Sequence, residues 1–538
     1  MKNRTPPIIL FSLLALALAA CDRSEPTAAE PNLRVAEEVE ALPEETPEPA
    51  TTVDDESSAL PGNGEIHWFD GSVEQAFVKA KAENTPLFLY WGAVWCPPCV
   101  EIRNTVFKDP RFIAQTRLFL PVYLDGDTGR AQTWGDRFST KVYPTMIVFN
   151  PAGEEVTRLH AGIDISAYNT VLGLSLERMQ PTSELVQAGL EDAGSLKDAD
   201  FQQLAYYSWY EDQALPEGAN PALFLSLSEA AAPGNPEASA RLYLQYLVML
   251  AGRQETAGKP GQARLREILA SSNLVFASWD YLIMPEALLP AAGGSEADLD
   301  ALKTEWAAVM RDSRHQEGLS TKNQLYGWRP WLVFHFEGDE NRSRPLPEQV
   351  REAILADVDA AAKSVAGTHS RQSVINTASN VLMLAGLTND ARALLKREIG
   401  QSKTPYYFMG SLALLEYRDG NEALSLDWRQ KAYKASEGPA TRIRWWASYV
   451  QALTLIAPEN METIRATAMF PFDESHGMDE IFSGANFRNL KRAAESLDTW
   501  AAEYHPDQPV LADFHTAIDS ACAVQATDST ERSNCLTL

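Results

Sequence analysis

Two cysteines separated by two residues, Cys96 and Cys99, are the clearest candidates for chemistry in this 538-residue chain. They lie in the stretch YWGAVWCPPCVEI, at the end of an apolar run. A thiol attacks a disulfide only as the thiolate, so a redox cysteine needs a lowered pKa. The run PLFLYW is typical of a buried strand, and we expect it to lead into a helix that begins near Cys96. The backbone N–H groups and the dipole of such a helix stabilise a thiolate at its first turn.

The residues between the cysteines fit the same helix start, because proline is tolerated at the first helical positions. We expect Cys96 to be the exposed nucleophile and Cys99, one turn further and more buried, to resolve the mixed disulfide. A structural, non-catalytic disulfide remains an alternative. A zinc site would need further ligands, but the eight histidines are scattered and no second close Cys/His pair occurs. We therefore predict no metal.

The elements that must position these cysteines are expected within residues 65–180. We predict a strand at 66–69 and then a helix from Ser72, where Gln75 completes a capping box. Further strands are predicted in the runs PLFLYW and RLFLPVYLD, followed by a hairpin formed by TMIVFN and EEVTRLHAG. The segment DISAYNTVLGLSLERM reads as a closing helix. The alternation of strands and helices predicts an α/β domain with a central sheet.

Three motifs in this region give it a family resemblance: Trp95-Cys96-Pro97-Pro98-Cys99, the following TVFKDPRF, and Val142-Tyr143-Pro144-Thr145. On these motifs the region resembles a thioredoxin-fold domain, of the branch that includes the C-terminal module of transmembrane thiol reductases feeding bacterial periplasmic proteins. The resemblance implies a thiol–disulfide oxidoreductase of the protein-disulfide reductase type that uses no cofactor. It also implies that Pro144 is cis and lies beside the cysteines. The implied substrate groove consists of Trp95, Pro97, Pro98, Tyr143 and Pro144.

The sequence departs from this family pattern near the cysteines. Tyr90 stands where many thioredoxins carry a buried aspartate that moves protons, so Glu101 and water become the candidates for that role. Val100 follows the second cysteine, where lysine is frequent in this branch. Tyr143 is bulkier than usual, and we expect it to restrict substrates. Since no histidine lies between the cysteines, the pattern favours reduction or exchange of disulfides over their introduction.

The N-terminus carries a second resemblance. Lys2 and Arg4 precede the run IILFSLLALALAA, which is too short to span a membrane as a mature helix. It ends in LAAC, which resembles the lipobox of bacterial lipoproteins. The resemblance implies a signal peptide at 1–20 and acylation of Cys21, which anchors the chain to the bacterial cell envelope facing the periplasm. Asp22 resembles the signal that retains such lipoproteins in the inner membrane.

Residues 21–64 are rich in Glu, Pro, Ala and Thr, as in AEEVEALPEETPEPATTVDDESS. Such a segment buries too little apolar surface to offset its ordering entropy, so we expect a disordered acidic tether. The whole chain has a formal net charge of −27, which argues against nucleic acid as a partner.

The remainder, 181–538, shows helical spacing of its apolar residues and no alternating strand pattern, which predicts a large all-α domain. Gly386 and Gly420 are 34 residues apart, and each precedes a helical segment. This resembles degenerate tetratricopeptide-type repeats of stacked helical hairpins. Aromatic clusters at 206–210, 325–336 and 443–449 are expected either to line a concave binding surface or to fill gaps between helices.

The last two cysteines, Cys522 and Cys535, close a short loop near the C-terminus. In an oxidising compartment they are expected to form a structural disulfide, with a second exchanging dithiol as the alternative.

Together these features predict an envelope-anchored thiol–disulfide oxidoreductase that exchanges with protein thiols or disulfides recruited by the helical domain. A membrane thiol reductase would supply the electrons. The alternative is an interaction scaffold, in which the helical repeats bind envelope partners and the thioredoxin module is structural.

Overall fold

A computed structural model describes residues 66–94, 96–140, 142–160, 165–209, 216–365, 368–472, 480–527 and 529–538. The predicted signal peptide at 1–20, the lipidation site Cys21 and the tether at 21–64 lie outside the described residues, as does Trp95. Within the described part of the chain, no helix combines the length and the apolar character needed to cross a bilayer.

The sheet has four strands: β1 Leu87–Gly92, β2 Leu120–Asp125, β3 Thr145–Phe149 and β4 Glu155–His160. Their order is β2-β1-β3-β4, with β1 parallel to β2 and antiparallel to β3, and β3 antiparallel to β4. Every residue of β1 is buried, because helices cover both faces of the central strand. The predicted buried strand and hairpin are thus present.

The predicted strand at 66–69 is wrong. This stretch contacts the sheet through one backbone hydrogen bond, from the Phe69 N–H to the Pro121 carbonyl (2.7 Å). Its apolar pattern comes from packing, since the ring of Trp68 lies 6.0 Å from the rings of Tyr90 and Tyr123. One bond at the end of β2 does not form a ladder.

Five helices surround the sheet: α1 Val73–Glu83, α2 Pro97–Asn104, α3 Pro110–Thr116, α4 Gly129–Arg137 and α5 Ile165–Arg178. The capping box at α1 is formed, with the Ser72 hydroxyl accepting from the Gln75 N–H and the Gln75 side chain accepting from the Ser72 N–H. Short 3-10 turns occur at Val106–Lys108, Ala193–Ser195 and Phe470–Phe472.

From α6 onwards the described residues form helices and no strand, so the predicted all-α region is confirmed. The helices are α6 Thr182–Asp192, α7 Asp198–Tyr206, α8 Pro221–Ala231, α9 Pro236–Gly252, α10 Gly258–Leu269, α11 Ser272–Ala277, α12 Trp279–Leu282, α13 Pro285–Ala292, α14 Glu296–Ser313, α15 Thr321–Tyr326, α16 Arg329–His335, α17 Glu348–Ser364, α18 Thr368–Leu384, α19 Thr388–Ile399, α20 Pro405–Arg418, α21 Glu422–Ala435, α22 Pro439–Ile456, α23 Met461–Ala468, α24 Gly484–Tyr504, α25 Ala512–Ala523 and α26 Thr530–Cys535.

Consecutive helices from α18 to α22 pack against each other as hairpins. Gly386 and Gly420 follow α18 and α20 and have φ angles of 70° and 77°, the left-handed conformation that ends a helix. Trp209, Trp328 and Trp446, one from each aromatic cluster, are at most 2% exposed. Their burial supports the interpretation that these tryptophans fill gaps between helices.

Cys522 and Cys535 form a disulfide that joins α25 to α26. Both residues are buried within the hydrophobic cluster around α22 and α24. This placement favours a structural role over an exchanging dithiol.

Candidate active site

The two candidate redox thiols lie at the junction between β1 and α2. Cys96 is the N-cap residue of α2, with Pro97 as the first helical residue. The Cys96 thiol donates to the carbonyl oxygen of Tyr143 (3.6 Å), and the Cys99 sulfur accepts from the N–H of Ala93 (3.4 Å). Both cysteines are free thiols in this structure. The helix start therefore lies where the sequence predicted it.

The surroundings shift the two thiol pKa values in opposite directions. Burial by itself raises the pKa of Cys96, but hydrogen bonds from Cys99 and the charges of Arg444 and Arg103 lower it below its ordinary value. Burial raises the pKa of Cys99 well above its ordinary value. The hydrogen bond with Cys96 and the negative charge of the Cys96 thiolate raise it further. Cys96 is thus the thiol that ionises first, which is the property of a nucleophile.

The expectation that Cys96 is exposed is wrong: it is only 4% exposed, and Cys99 is fully buried. The helical region covers the start of α2. Helix α18 packs against α2. Tyr406 from α20 and Trp445 from α22 belong to the same hydrophobic cluster as the two cysteines. The structure thus places the helical region over the thiols, a position that the sequence did not predict.

The loop before β3 approaches the thiols from the other side. The Tyr143–Pro144 peptide bond is cis, and Pro144 is buried. The Tyr143 hydroxyl donates to the carbonyl of Gly126 (3.1 Å) and accepts from Gln132 (3.1 Å). Gly126 allows this approach, because a Cβ there would lie 2.3 Å from the Tyr143 ring. Tyr143 is therefore packed inward.

Of the remaining predicted groove residues, Pro98 is half-buried. Trp95 and the side chain of Pro97 lie outside the part of the chain that the structure describes.

Three side chains of the α/β module, formed by β1–β4 and α1–α5, bind the N-terminal turns of two helices in the helical region. Asp127 Oδ1 accepts from the backbone N–H (2.9 Å) and the hydroxyl (2.7 Å) of Thr441, near the start of α22. At the start of α24, Gln132 Oε1 accepts a hydrogen bond from the backbone N–H of Ala485 (2.8 Å). Asp136 Oδ2 accepts one from the backbone N–H of Gly484 (2.7 Å). These carboxylate and amide oxygens satisfy N–H groups that have no partner within their own helices.

A second group of interface contacts lies at α2 itself. The carboxylate of Glu101, predicted as a candidate proton carrier, lies 3.3 Å from the ammonium of Lys322 and accepts from the hydroxyl of Ser373 (3.4 Å). Burial by itself lowers the pKa of Lys322, but the charge of Glu101 raises it above the ordinary value. The described contacts of Glu101 therefore tie α2 to the helical region.

Tyr90, which departs from the aspartate frequent at this position in thioredoxins, is fully buried. Burial and the charge of Cys99 raise its pKa well above the ordinary value. Its hydroxyl has no hydrogen-bond partner among the described residues. Its ring lies close to the backbone of Gly92, where a Cβ would be 2.6 Å from the hydroxyl oxygen. Tyr90 stays protonated, so it cannot serve as a base for Cys99.

Sequence reasoning missed Arg444 and Tyr407, which the helical region brings into the neighbourhood of Cys96. Arg444 Nη1 donates to the Tyr407 hydroxyl (3.1 Å), and its charge acts on the Cys96 sulfur. Both residues lie more than 300 positions from the cysteines. Only the aromatic cluster at 443–449 marked this part of α22 in the sequence.

No group of three or more metal-ligating side chains able to hold an ion occurs within the described ranges. The family model of the thioredoxin-like domain matches residues 73–173. The match spans the sheet, both cysteines and the cis proline, and it identifies this region as a thioredoxin-like domain. No curated protein matches the chain.

Proposed function

We propose that the chain is a thiol–disulfide oxidoreductase in which Cys96 is the nucleophile and Cys99 the resolving thiol. The observation that carries the proposal is the pair of free thiols at the start of α2, with the pKa of Cys96 lowered and that of Cys99 raised. The match to the thioredoxin-like family supports the same chemistry. Because the two pKa values are shifted in opposite directions, Cys96 suits the role of the attacking thiol and Cys99 that of the resolving thiol.

The reaction follows from these roles. The Cys96 thiolate attacks one sulfur of a substrate disulfide, forming a mixed disulfide and releasing the other sulfur as a thiolate that takes up a proton. Cys99 then loses its proton and attacks the Cys96 sulfur, forming the Cys96–Cys99 disulfide and releasing the second substrate thiol. The dithiol is oxidised by two electrons and the substrate disulfide is reduced. A dithiol donor must reduce the pair again.

The partners proposed are protein thiols and disulfides, with a membrane thiol reductase as the electron donor. Because Cys96 is only 4% exposed, a protein disulfide can reach it only when the helical region moves away from α2. The proposed reaction therefore includes an opening step, which the burial of Cys96 supports.

The cellular location is proposed from two resemblances in the sequence, that of LAAC to a lipobox and that of Asp22 to an inner-membrane retention signal. Cleavage of the signal peptide at 1–20 and acylation of Cys21 would anchor the chain to the inner membrane, with the acidic segment 21–64 as a tether facing the periplasm. A Cys21→Ala variant should then accumulate unprocessed or be released from the membrane fraction. Normal processing and anchoring of that variant would contradict the proposal.

A scaffold is the second candidate, and the burial of the thiols favours it. In this alternative the helical region is a tetratricopeptide-like array that binds envelope partners, and the module is held against it by contacts such as Asp127 to Thr441. It predicts that the thiols do not exchange.

Trapping of a mixed disulfide separates the two candidates. The full chain carrying Cys99→Ser is incubated with oxidised glutathione, and the adduct is located by mass spectrometry of peptides. We expect one glutathione on Cys96, because the resolving thiol is missing. The matched control Cys96→Ser should carry none. Equal adduct on both variants, or none on either, would contradict the oxidoreductase proposal.

A further inference from the structure

The Cys96 thiol is surrounded by charged and titratable groups from both parts of the chain. They include Cys99 and Arg103 of α2, Tyr90 of β1, Lys322 of α15, Tyr407 of α20 and Arg444 of α22. Three of these residues come from the helical region. The electrostatics of the thiol thus depend on helices outside the thioredoxin-like domain.

Arg444 is placed by contacts of α22 with the module. Thr441, one turn earlier on the same helix, is 1% exposed and binds the carboxylate of Asp127. Residues three apart on a helix share a face, so the bond that anchors Thr441 also directs Arg444 toward the module. The neighbouring Trp445 packs in the hydrophobic cluster that contains Cys96.

Tyr407 holds the guanidinium in this position. Its hydroxyl accepts from Arg444 Nη1 (3.1 Å), and the guanidinium carbon lies 5.6 Å from the centre of the tyrosine ring. Burial by itself lowers the pKa of Arg444, but interactions with Tyr407 and with the Cys96 sulfur raise it. Arginine therefore carries its positive charge at every pH at which a thiol titrates.

We propose that Arg444 is a positioning residue of the redox pair, which stabilises the Cys96 thiolate from the helical region and is itself held in place by Tyr407. The proposal rests on the proposed function and extends it. The helical region is then part of the redox centre and does more than recruit partners. When it moves away from α2, Cys96 gains access to a substrate and loses the charge that stabilises its thiolate.

The test is the pH midpoint of thiolate formation in the full reduced chain, followed by absorbance at 240 nm and corrected with the Cys96→Ser variant. Absorbance needs no reagent to reach the buried sulfur. We expect Arg444→Gln to raise the midpoint by roughly one pH unit. At pH values well below the midpoint, the thiolate fraction of this variant should then be roughly tenfold smaller than that of the wild type. Arg444→Lys keeps the charge and should restore most of the wild-type value.

The matched control is Arg442→Gln on the same helix. Arg442 carries the same charge on the same helix but donates to the carbonyl of Ser436 (3.1 Å). Its midpoint should equal that of the wild type. If Arg444→Gln also keeps the wild-type midpoint while remaining folded by circular dichroism, the proposal is overturned.

A second variant covers the case in which Arg444→Gln does not fold. Tyr407→Phe keeps the ring and removes the hydroxyl that holds the guanidinium, so a smaller rise of the midpoint is expected. An unchanged midpoint in Tyr407→Phe would then overturn the role of Arg444. Failure of Cys99→Ser to trap glutathione would instead overturn the oxidoreductase proposal, so the two failures are distinguishable.

Discussion

The bond between Asp127 and Thr441 controls access to Cys96 if the helical region must open for the thiol to react. Asp127→Ala removes the acceptor of a buried backbone N–H near the start of α22 and of the Thr441 hydroxyl. Loss of a helix-capping acceptor costs about 1 kcal/mol, and a bond to a charged acceptor contributes about 1.5–3 kcal/mol. We therefore expect Asp127→Ala to destabilise the closed arrangement, in which the helical region covers α2, by about 2 kcal/mol relative to the open one.

The rate of labelling by a bulky maleimide reports this change. A reagent that reacts only in the open state labels Cys96 at a rate proportional to the open population. A loss of about 2 kcal/mol should therefore speed labelling roughly 30-fold, since each 1.4 kcal/mol corresponds to a factor of ten. Asp127→Asn keeps a neutral acceptor and should give a smaller increase. Measurement above the midpoint for Cys96 removes differences in thiolate fraction.

The control is Asn460→Ala, which removes the cap of α23, where Asn460 accepts from the N–H of Thr463 (3.3 Å). This variant loses a comparable cap away from α2, so labelling of Cys96 should keep the wild-type rate. If Asp127→Ala is labelled no faster than Asn460→Ala, the bond between Asp127 and Thr441 does not control access to Cys96. Wild-type labelling as fast as that of the urea-unfolded chain would refute this role of the bond as well.

Three further variants test interactions that stabilise the fold. Tyr90→Phe removes a buried hydroxyl that has no described partner, so the free energy of unfolding should stay the same or rise by about 1 kcal/mol; a loss of about 2 kcal/mol would contradict this expectation. Arg241→Met leaves the buried carboxylate of Asp280 without the guanidinium that binds it at 2.6 and 2.9 Å, and should lower the unfolding free energy by about 3–5 kcal/mol in urea titrations. A loss below 1 kcal/mol would contradict that. Replacing Cys522 and Cys535 by serine opens a loop with a sequence separation of 13 and should cost about 3 kcal/mol by chain entropy, seen as a lower Tm. An unchanged Tm would contradict a structural role for the disulfide.

Local patterns in the sequence predicted most elements of the module. A continuous apolar run becomes β1, the turn in TMIVFNPAGEEVTRLH joins β3 to β4, and the prolines after Cys96 begin α2. Each of these depends on residues a few positions apart, so its signal is complete within a short window. The stretch 66–69 was wrongly predicted to be a strand, because a segment that packs at the edge of a sheet can show the same alternation of apolar residues as a strand. Only the number of backbone hydrogen bonds distinguishes the two.

The packing of the helical region over the two thiols could not be predicted from local patterns in the sequence. The helices that bury Cys96 contribute residues such as Tyr406 and Trp445, more than 300 positions away. An apolar stripe on a helix indicates that it packs, but not against which surface. The polar contacts of Asp127 with Thr441 have no local signature either, because each residue alone resembles an ordinary turn or helix residue.

Cycling of Cys96 and Cys99 between dithiol and disulfide can be measured as a redox equilibrium. The full chain is equilibrated in glutathione buffers of varied ratio and quenched with acid. After alkylation under denaturing conditions, mass spectrometry gives the oxidised fraction of the pair. We expect one two-electron transition that is reversible from both directions and absent in Cys96→Ser. A pair that stays reduced in oxidised glutathione, or stays oxidised in the reduced form, would contradict this expectation.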